Sequence, residues 1–279
     1  MGKIAHTSNH PVFRRLAQGD GWSVADVVCS AGPRDRPFEE QHAGFSVAVV
    51  ASGTFEYRSA AGRELMTPGS LLLGNAGLSF ECSHAHGVGD RCVSFHFTAE
   101  YFERLASDAG AAGLFCVPRL PPMRATSSLI ARAIAQACAG LAGADPCWQE
   151  LSIQLAAQAL ELADGVKPTG NAPPGAVARA ARVARGIERD FAAELDLAGL
   201  ARQAGLSPYH FLRSFQRAAG VTPHQFILRQ RLREAARRLR GKAARVVDIA
   251  LECGFRDLSN FNHAFRAEFG VSPRQFRSS

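Results

Sequence analysis

What the chain lacks narrows the reading first. No apolar run reaches the ~18 residues that a membrane span needs, so a membrane is not an expected partner. Residues Met1 to Gly21 carry charges and histidines but no apolar stretch with a small-residue cleavage site, so they do not read as a secretory signal. Cysteine is sparse: seven residues, an odd number at irregular spacings, fit reduced thiols rather than a disulfide framework. The expected compartment is the cytoplasm. Hydrophobic residues at 47% and charged residues at 20% exclude a disordered or fibrous chain, and 279 residues suffice for two domains of ordinary size.

Acidic residues are scarce in one part only. From Ala176 onward the chain has 19 Lys and Arg against 9 Asp and Glu, a net +10. The preceding 175 residues have 13 against 16, a net −3. The basic part, mostly arginine, favours a polyanionic partner for the C-terminal region alone. The break between the parts lies at Gly165–Gly175, where three prolines and three glycines in eleven residues end any helix or central strand. We take 165–177 as a linker.

Residues 22–97 are rich in short β-like runs (45–51, 53–58, 70–73, 91–97) separated by turn residues such as Ser52-Gly53 and Pro68-Gly69. That spacing predicts a small antiparallel barrel or sandwich. Residues 123–164 turn helical. Ile130, Ile134, Ala137, Cys138 and Leu141 form one apolar stripe, and Leu151, Leu155, Ala159 and Leu162 a second. The stripes are buried either on the β layer or against a partner subunit.

The C-terminal part contains an internal repeat. Residues 197–215 and 247–265 share Ala201/Ala250, Gly205/Gly254 and, after an offset of one, Phe211/Phe261 and Phe215/Phe265. The ending GVTPHQF (220–226) recurs as GVSPRQF (270–276). Each copy reads as helix, tight turn, helix. In the first, Asp196 caps a helix with the apolar face Leu197, Leu200, Ala201 and Ala204, and Gly205 supplies the left-handed turn. Ser207 caps a second helix that starts at Pro208. Such a unit lays its second helix in the major groove. The connector Pro223 to Arg240 predicts about 25 Å of helix, enough to hold two reading helices near one DNA turn apart, ~34 Å.

The stretch DIALECGFRDLSNFNHAFRAEFGVSPRQFR (248–277), within 178–277, closely resembles the signature of the AraC/XylS family of transcription regulators. The resemblance implies a cupin-like effector-sensing domain (1–122), a helical dimerisation segment (123–164), the linker (165–177) and a double helix-turn-helix DNA-binding domain (178–279). The expected fold is therefore α+β: a cupin-like antiparallel β barrel with two packed helices, then an all-α domain. The implied function is a sequence-specific regulator, read as an activator, that works as a homodimer at the nucleoid with duplex DNA and RNA polymerase as partners. Base-edge positions carry over to Tyr209, Leu212 and Arg213, and to Leu258, Ser259, Asn260 and His263. Arg213 suits guanine and Asn260 adenine. Arg217, Arg229, Arg256 and Arg266 are the expected phosphate contacts.

For the sensor, no cofactor is required, and a small organic effector in an apolar pocket is the default expectation. Phe45, Phe55 and Tyr57 are its candidate lining. A second reading makes the run Cys82, His84, His86, Cys92 and His96 a zinc-like soft-metal or thiol site. A three-residue turn that pairs 86 with 92 brings both sets to one face; a two-residue turn separates them. A cupin-type enzyme is the third reading. His42 stands single where that pattern wants a His-x-His pair with a following glutamate, which counts against it.

Overall fold

The computed structural model describes residues 11–139, 146–166, 172–241 and 244–278. Leu141 and part of the linker lie outside them. The strands in chain order are β1 (Val12–Gly19), β2 (Trp22–Cys29), β3 (Phe38–Gln41), β4 (Phe45–Gly53), β5 (Phe55–Ser59), β6 (Gly62–Met66), β7 (Leu71–Gly74), β8 (Ser79–Ser83), β9 (Asp90–Phe97) and β10 (Arg119–Leu120). The helices are α1 (Ala99–Asp108), α2 (Arg124–Ala139), α3 (Pro146–Gly165), α4 (Pro174–Arg189), α5 (Leu197–Gln203), α6 (Pro208–Ala219), α7 (Pro223–Arg240), α8 (Val246–Glu252), α9 (Leu258–Phe269) and α10 (Pro273–Ser278). Among the described residues no helix is long and apolar enough to cross a membrane.

The strands do not close a barrel. They form two antiparallel sheets, a six-stranded one in the order β1-β2-β9-β4-β7-β10 and a four-stranded one in the order β3-β8-β5-β6. The chain changes sheet at Gly53, between β4 and β5. This residue has φ +78°, and a Cβ there would lie 2.4 Å from the carbonyl oxygen of Gly89. Only glycine takes that turn and that approach without cost.

β4 shows how one strand serves two cores. Phe45, Val47 and Val49 point to a core completed by Phe102 of α1, Ile130 and Ala133 of α2, and Trp148, Leu151 and Leu155 of α3. Ala48 and Val50 point the other way, between the sheets, with Phe55, Tyr57, Met66, Cys82 and Cys92. Much of the apolar stripes of α2 and α3 is thus buried inside the chain: Ile130 and Ala137 are 1% exposed, and Leu151, Leu155 and Ala159 are fully covered, while Ile134 and Leu162 are half-buried and Cys138 is exposed.

The C-terminal region has two cores threaded by one helix. Phe226 and Ile227 at the start of α7 join α4, α5 and α6. Leu232, Ala235, Ala236 and Leu239 at its end join α8, α9 and α10. With 18 residues α7 is about 27 Å long at 1.5 Å per residue. α4 starts at Pro174, earlier than the predicted linker end, because proline is tolerated in the first turn of a helix. The two halves also pack on one another: Leu65 of β6 enters the first C-terminal core and Ala131 of α2 the second.

Candidate nucleic-acid interface

Local chemistry fixes the two reading helices. The Asp196 carboxylate accepts the Gly199 amide at 2.7 Å and starts α5. After Gly205 (φ +66°), Ser207 accepts the His210 amide and starts α6. In the second unit Gly254 (φ +83°) makes the turn and Asp257 accepts the Asn260 amide at 2.7 Å to start α9. Phe211 and Phe215 on α6, and Phe261, Phe265 and Phe269 on α9, face inward and are buried. Spacings of four residues put them on one stripe, which leaves the opposite faces of α6 and α9 to solvent.

The outward faces carry most of the predicted base-edge residues. Tyr209 is 62% exposed, and the Arg213 guanidinium donates to its hydroxyl at 3.2 Å and lies 5.8 Å from its ring centre. The pair leaves the guanidinium of Arg213 supported at the surface, beside an open groove that also touches Arg179, His210 and Arg217. Leu212 is half-buried, which leaves it less available than its neighbours. On α9, Leu258, Ser259, Asn260 and His263 are all exposed, side by side on the first turns.

The phosphate candidates divide. Arg217 and Arg266 are exposed. Arg256 is exposed and ion-paired with Glu194. Arg229 is not placed for a phosphate: it pairs with Glu268 at 3.1 Å and donates to the Pro122 carbonyl at 2.6 Å. At its position on α7 the side chain faces the sensor and α9, not solvent.

Sequence reasoning missed the arginines that join the two halves, which have no local signature. Arg119 of β10 donates to the carbonyls of Leu65 and Ala218 at 2.8 and 3.0 Å and pairs with Glu64 at 2.8 Å, all buried. Arg185 of α4 donates to Thr54 and to the carbonyls of Val88 and Gly89. Arg233 of α7 donates to the Pro68 carbonyl, and Glu188 of α4 accepts the Gly53 amide. The N-terminal half meets the C-terminal end of α6 at Ala218, through Arg119, and the end of α9 at Glu268, through Ser127. The first turns of both reading helices project away from these contacts.

A cavity of about 260 Å³ opens between the sheets, lined by Ala48, Phe55, Leu72 and Phe80 and, on its polar side, by His42, Ser46, Ser94 and His96. Phe55 lines it as expected. Tyr57 stands behind His42 and bonds its Nε2 at 2.7 Å. Phe45 does not reach the cavity: it stacks on Phe102 at 4.1 Å on the other face of β4. Burial, and next the charge of His96, lower the His42 pKa to about 4; burial also lowers that of His96 and raises that of the Tyr57 hydroxyl. Burial thus disfavours the charged forms of His42 and His96, while Glu40 and the His84–Asp90 pair also line the cavity.

The predicted cysteine–histidine residues come together in part: Cys82, His84, Cys92 and His96 line one cavity, and His86 does not. Neither turn register applies, because β8 and β9 lie in different sheets. His86 bonds Glu56 at 2.7 Å, and His96 faces the cavity. His84 instead meets Asp90, with Nε2 and Oδ2 2.5 Å apart. Burial opposes its protonation, but the bonds to Asp90 and Cys29 outweigh that and raise its pKa to about 9. Cys82 and Cys92 are buried between the sheets, and desolvation raises both thiols well above their usual range. Cys29 and Asp90, which the sequence did not single out, are register partners across β2 and β9.

Comparison with known proteins follows the same division. Residues 200–279 match a helix-turn-helix domain family. Over 91 residues the chain is 41% identical to the HTH-type transcriptional activator RhaS of Escherichia coli O139:H28 (strain E24377A / ETEC), and 40% identical to RhaS of strain SE11; each alignment covers 33% of this chain and 33% of the relative. The chain thus spans one third of the length of these curated relatives. Among solved structures it is similar to the DNA-binding domain of AdpA, a global transcriptional factor solved in complex with a target DNA (30% identity, 36% of this chain and 90% of that one, TM-score 0.35). It is also similar to ToxT from Vibrio cholerae (10% identity, 92% and 98%, TM-score 0.36).

Proposed function

The C-terminal third of this chain is an AraC/XylS-type helix-turn-helix domain, and on that premise we propose that the protein is a sequence-specific transcription regulator controlled by its N-terminal domain. One observation carries the reading: two tandem units each present the first turns of a reading helix, Tyr209–Arg213 and Leu258–His263, to solvent on one basic domain. Arg213 and Asn260 supply the bidentate chemistry that reads guanine and adenine, and Arg217 and Arg266 the phosphate contacts. The name of the RhaS relatives favours an activator, with RNA polymerase as the further partner.

The N-terminal domain acts as the sensor. Its cavity is largely apolar with a few polar groups, which suits a small organic effector that accepts or donates hydrogen bonds at His42, Ser46 and Ser94. The arginines that bridge the halves supply the route by which a change in the sensor reaches α4, α6 and α7.

Fluorescence anisotropy of the full chain on duplex DNA over a range of salt tests the first part. Several phosphate contacts predict an affinity that falls steeply with salt, with a log–log slope of about −0.9 per contact. A flat salt response contradicts the reading.

A further inference from the structure

We infer that Cys29, His84 and Asp90 form a binding site for a soft divalent metal ion of the zinc class, and that its occupation is transmitted to the DNA-binding domain through the turn at residues 87–90. The three donors come from separate places in the chain. Cys29 ends β2, Asp90 begins β9 as its register partner, and His84 follows β8 from the opposite sheet. Their ligand atoms all lie within 4.8 Å of one another. The site is buried on the wall of the cavity between the sheets: the His84 and Asp90 side chains are 3% and 7% exposed, and Cys29 is 6% exposed.

The geometry is close to what a tetrahedral ion needs. Zinc binds sulfur at about 2.3 Å and nitrogen or oxygen at about 2.0 Å, which puts ligand atoms about 3.3–3.8 Å apart. The present spread closes on such an ion through side-chain shifts of about 1 Å. His84 Nε2 and Asp90 Oδ2 are joined by a hydrogen bond of 2.5 Å. A metal takes the place of the proton in that bond, and the Cys29 thiol loses its own. Two protons leave, and the thiolate and the carboxylate offset the two charges of the ion in a buried place, where an uncompensated charge is costly. Cys92 donates from Sγ to Asp90 Oδ1 at 3.5 Å and so holds the other oxygen of that carboxylate. A set of thiolate, imidazole and one carboxylate selects zinc-like ions over magnesium or calcium.

The link to the DNA-binding domain is direct. The carbonyls of Val88 and Gly89, immediately before Asp90, accept from Arg185 of α4 at 2.8 and 2.9 Å. Drawing Asp90 onto a metal moves the turn that Arg185 holds. His86, in the same segment, is engaged by Glu56 and takes no part.

The test is a titration of the purified, reduced, metal-free full chain with Co²⁺. The expected result is about one equivalent bound, with a thiolate-to-cobalt charge-transfer band in the near ultraviolet, displaced by Zn²⁺. Cys29→Ser abolishes the band and His86→Ala keeps it. Hydrogen exchange of residues 87–90 and of α4 slows on Zn²⁺ addition by at least about threefold, as a metal-linked local opening requires. Should Cys29→Ser fail to fold, the wild-type chain still decides. Folded wild-type protein without the band overturns the site. The band with unchanged exchange at 87–90 and α4 overturns the transmission. Neither readout involves DNA, so both stand apart from the regulator reading.

Discussion

The guanidinium of Arg119, in the edge strand β10, donates to the carbonyl oxygen of Ala218, 3.0 Å away at the C-terminal end of α6. The same buried group pairs with Glu64 of β6, so one arginine ties a sheet edge, a sensor carboxylate and a DNA-reading element together. Carbonyls at a helix C-terminus have no partner within the helix, and a cation there also suits the helix dipole. This places one contact between the halves at the opposite end of α6 from Tyr209.

Arg119→Ala removes the buried cation that pairs with Glu64, and the expected cost is about 3–5 kcal/mol in urea unfolding of the full chain. Adding Glu64→Gln to that variant recovers much of the loss. A cost under about 1 kcal/mol shows that this contact does not hold the interface.

Arg213→Ala is expected to weaken specific DNA binding by about 1–3 kcal/mol and to relax preference at one base position. Binding to a panel of single-base operator variants checks it. Uniform weakening across the panel assigns Arg213 to a phosphate instead.

Asp257→Ala removes the side-chain cap of α9 and is expected to cost about 1 kcal/mol of stability, read as a lower denaturation midpoint. Asp257→Asn, which keeps an acceptor oxygen, restores most of it. Equal losses in the two variants contradict the capping role.

His42 carries a pH signature. Its pKa is about 4 in the fold, lowered by burial and then by His96, against 6.5 in an unfolded chain. The unfolded chain therefore binds a proton that the fold refuses, so the full stability is present above pH 6.5 and is lost as pH falls toward 4. The loss approaches about 1.4 kcal/mol per pH unit in that window. Urea unfolding of wild type and His42→Gln at pH 7, 5.5 and 4.5 isolates the contribution: the wild type loses more on acidification. Parallel losses rule it out.

The C-terminal half was legible because its signals are local. A cap, a glycine and two phenylalanines four apart specify helix-turn-helix within twenty residues, and Asp196, Gly205, Ser207 and Pro208 occupy the expected places. The N-terminal half was less so, because its site is made by pairing at a distance. Phe45 and Phe55 look alike in sequence, yet the alternation of β4 and the change of sheet at Gly53 send one to the helices and the other to the cavity. His84 and Cys92 read as arms of one hairpin, whereas β8 and β9 belong to different sheets. Arg229 reads as a surface cation until the sensor is packed on α7.

Selection of bound duplexes from a random pool by the full chain, at ~150 mM salt to suppress non-specific binding, tests the central claim most directly. Two reading helices on one α7 connector predict a site with two short conserved blocks about one helical turn, ~34 Å, apart. Recovery of no enriched sequence, with or without added Zn²⁺, contradicts the assignment of Tyr209–Arg213 and Leu258–His263 as base-reading faces.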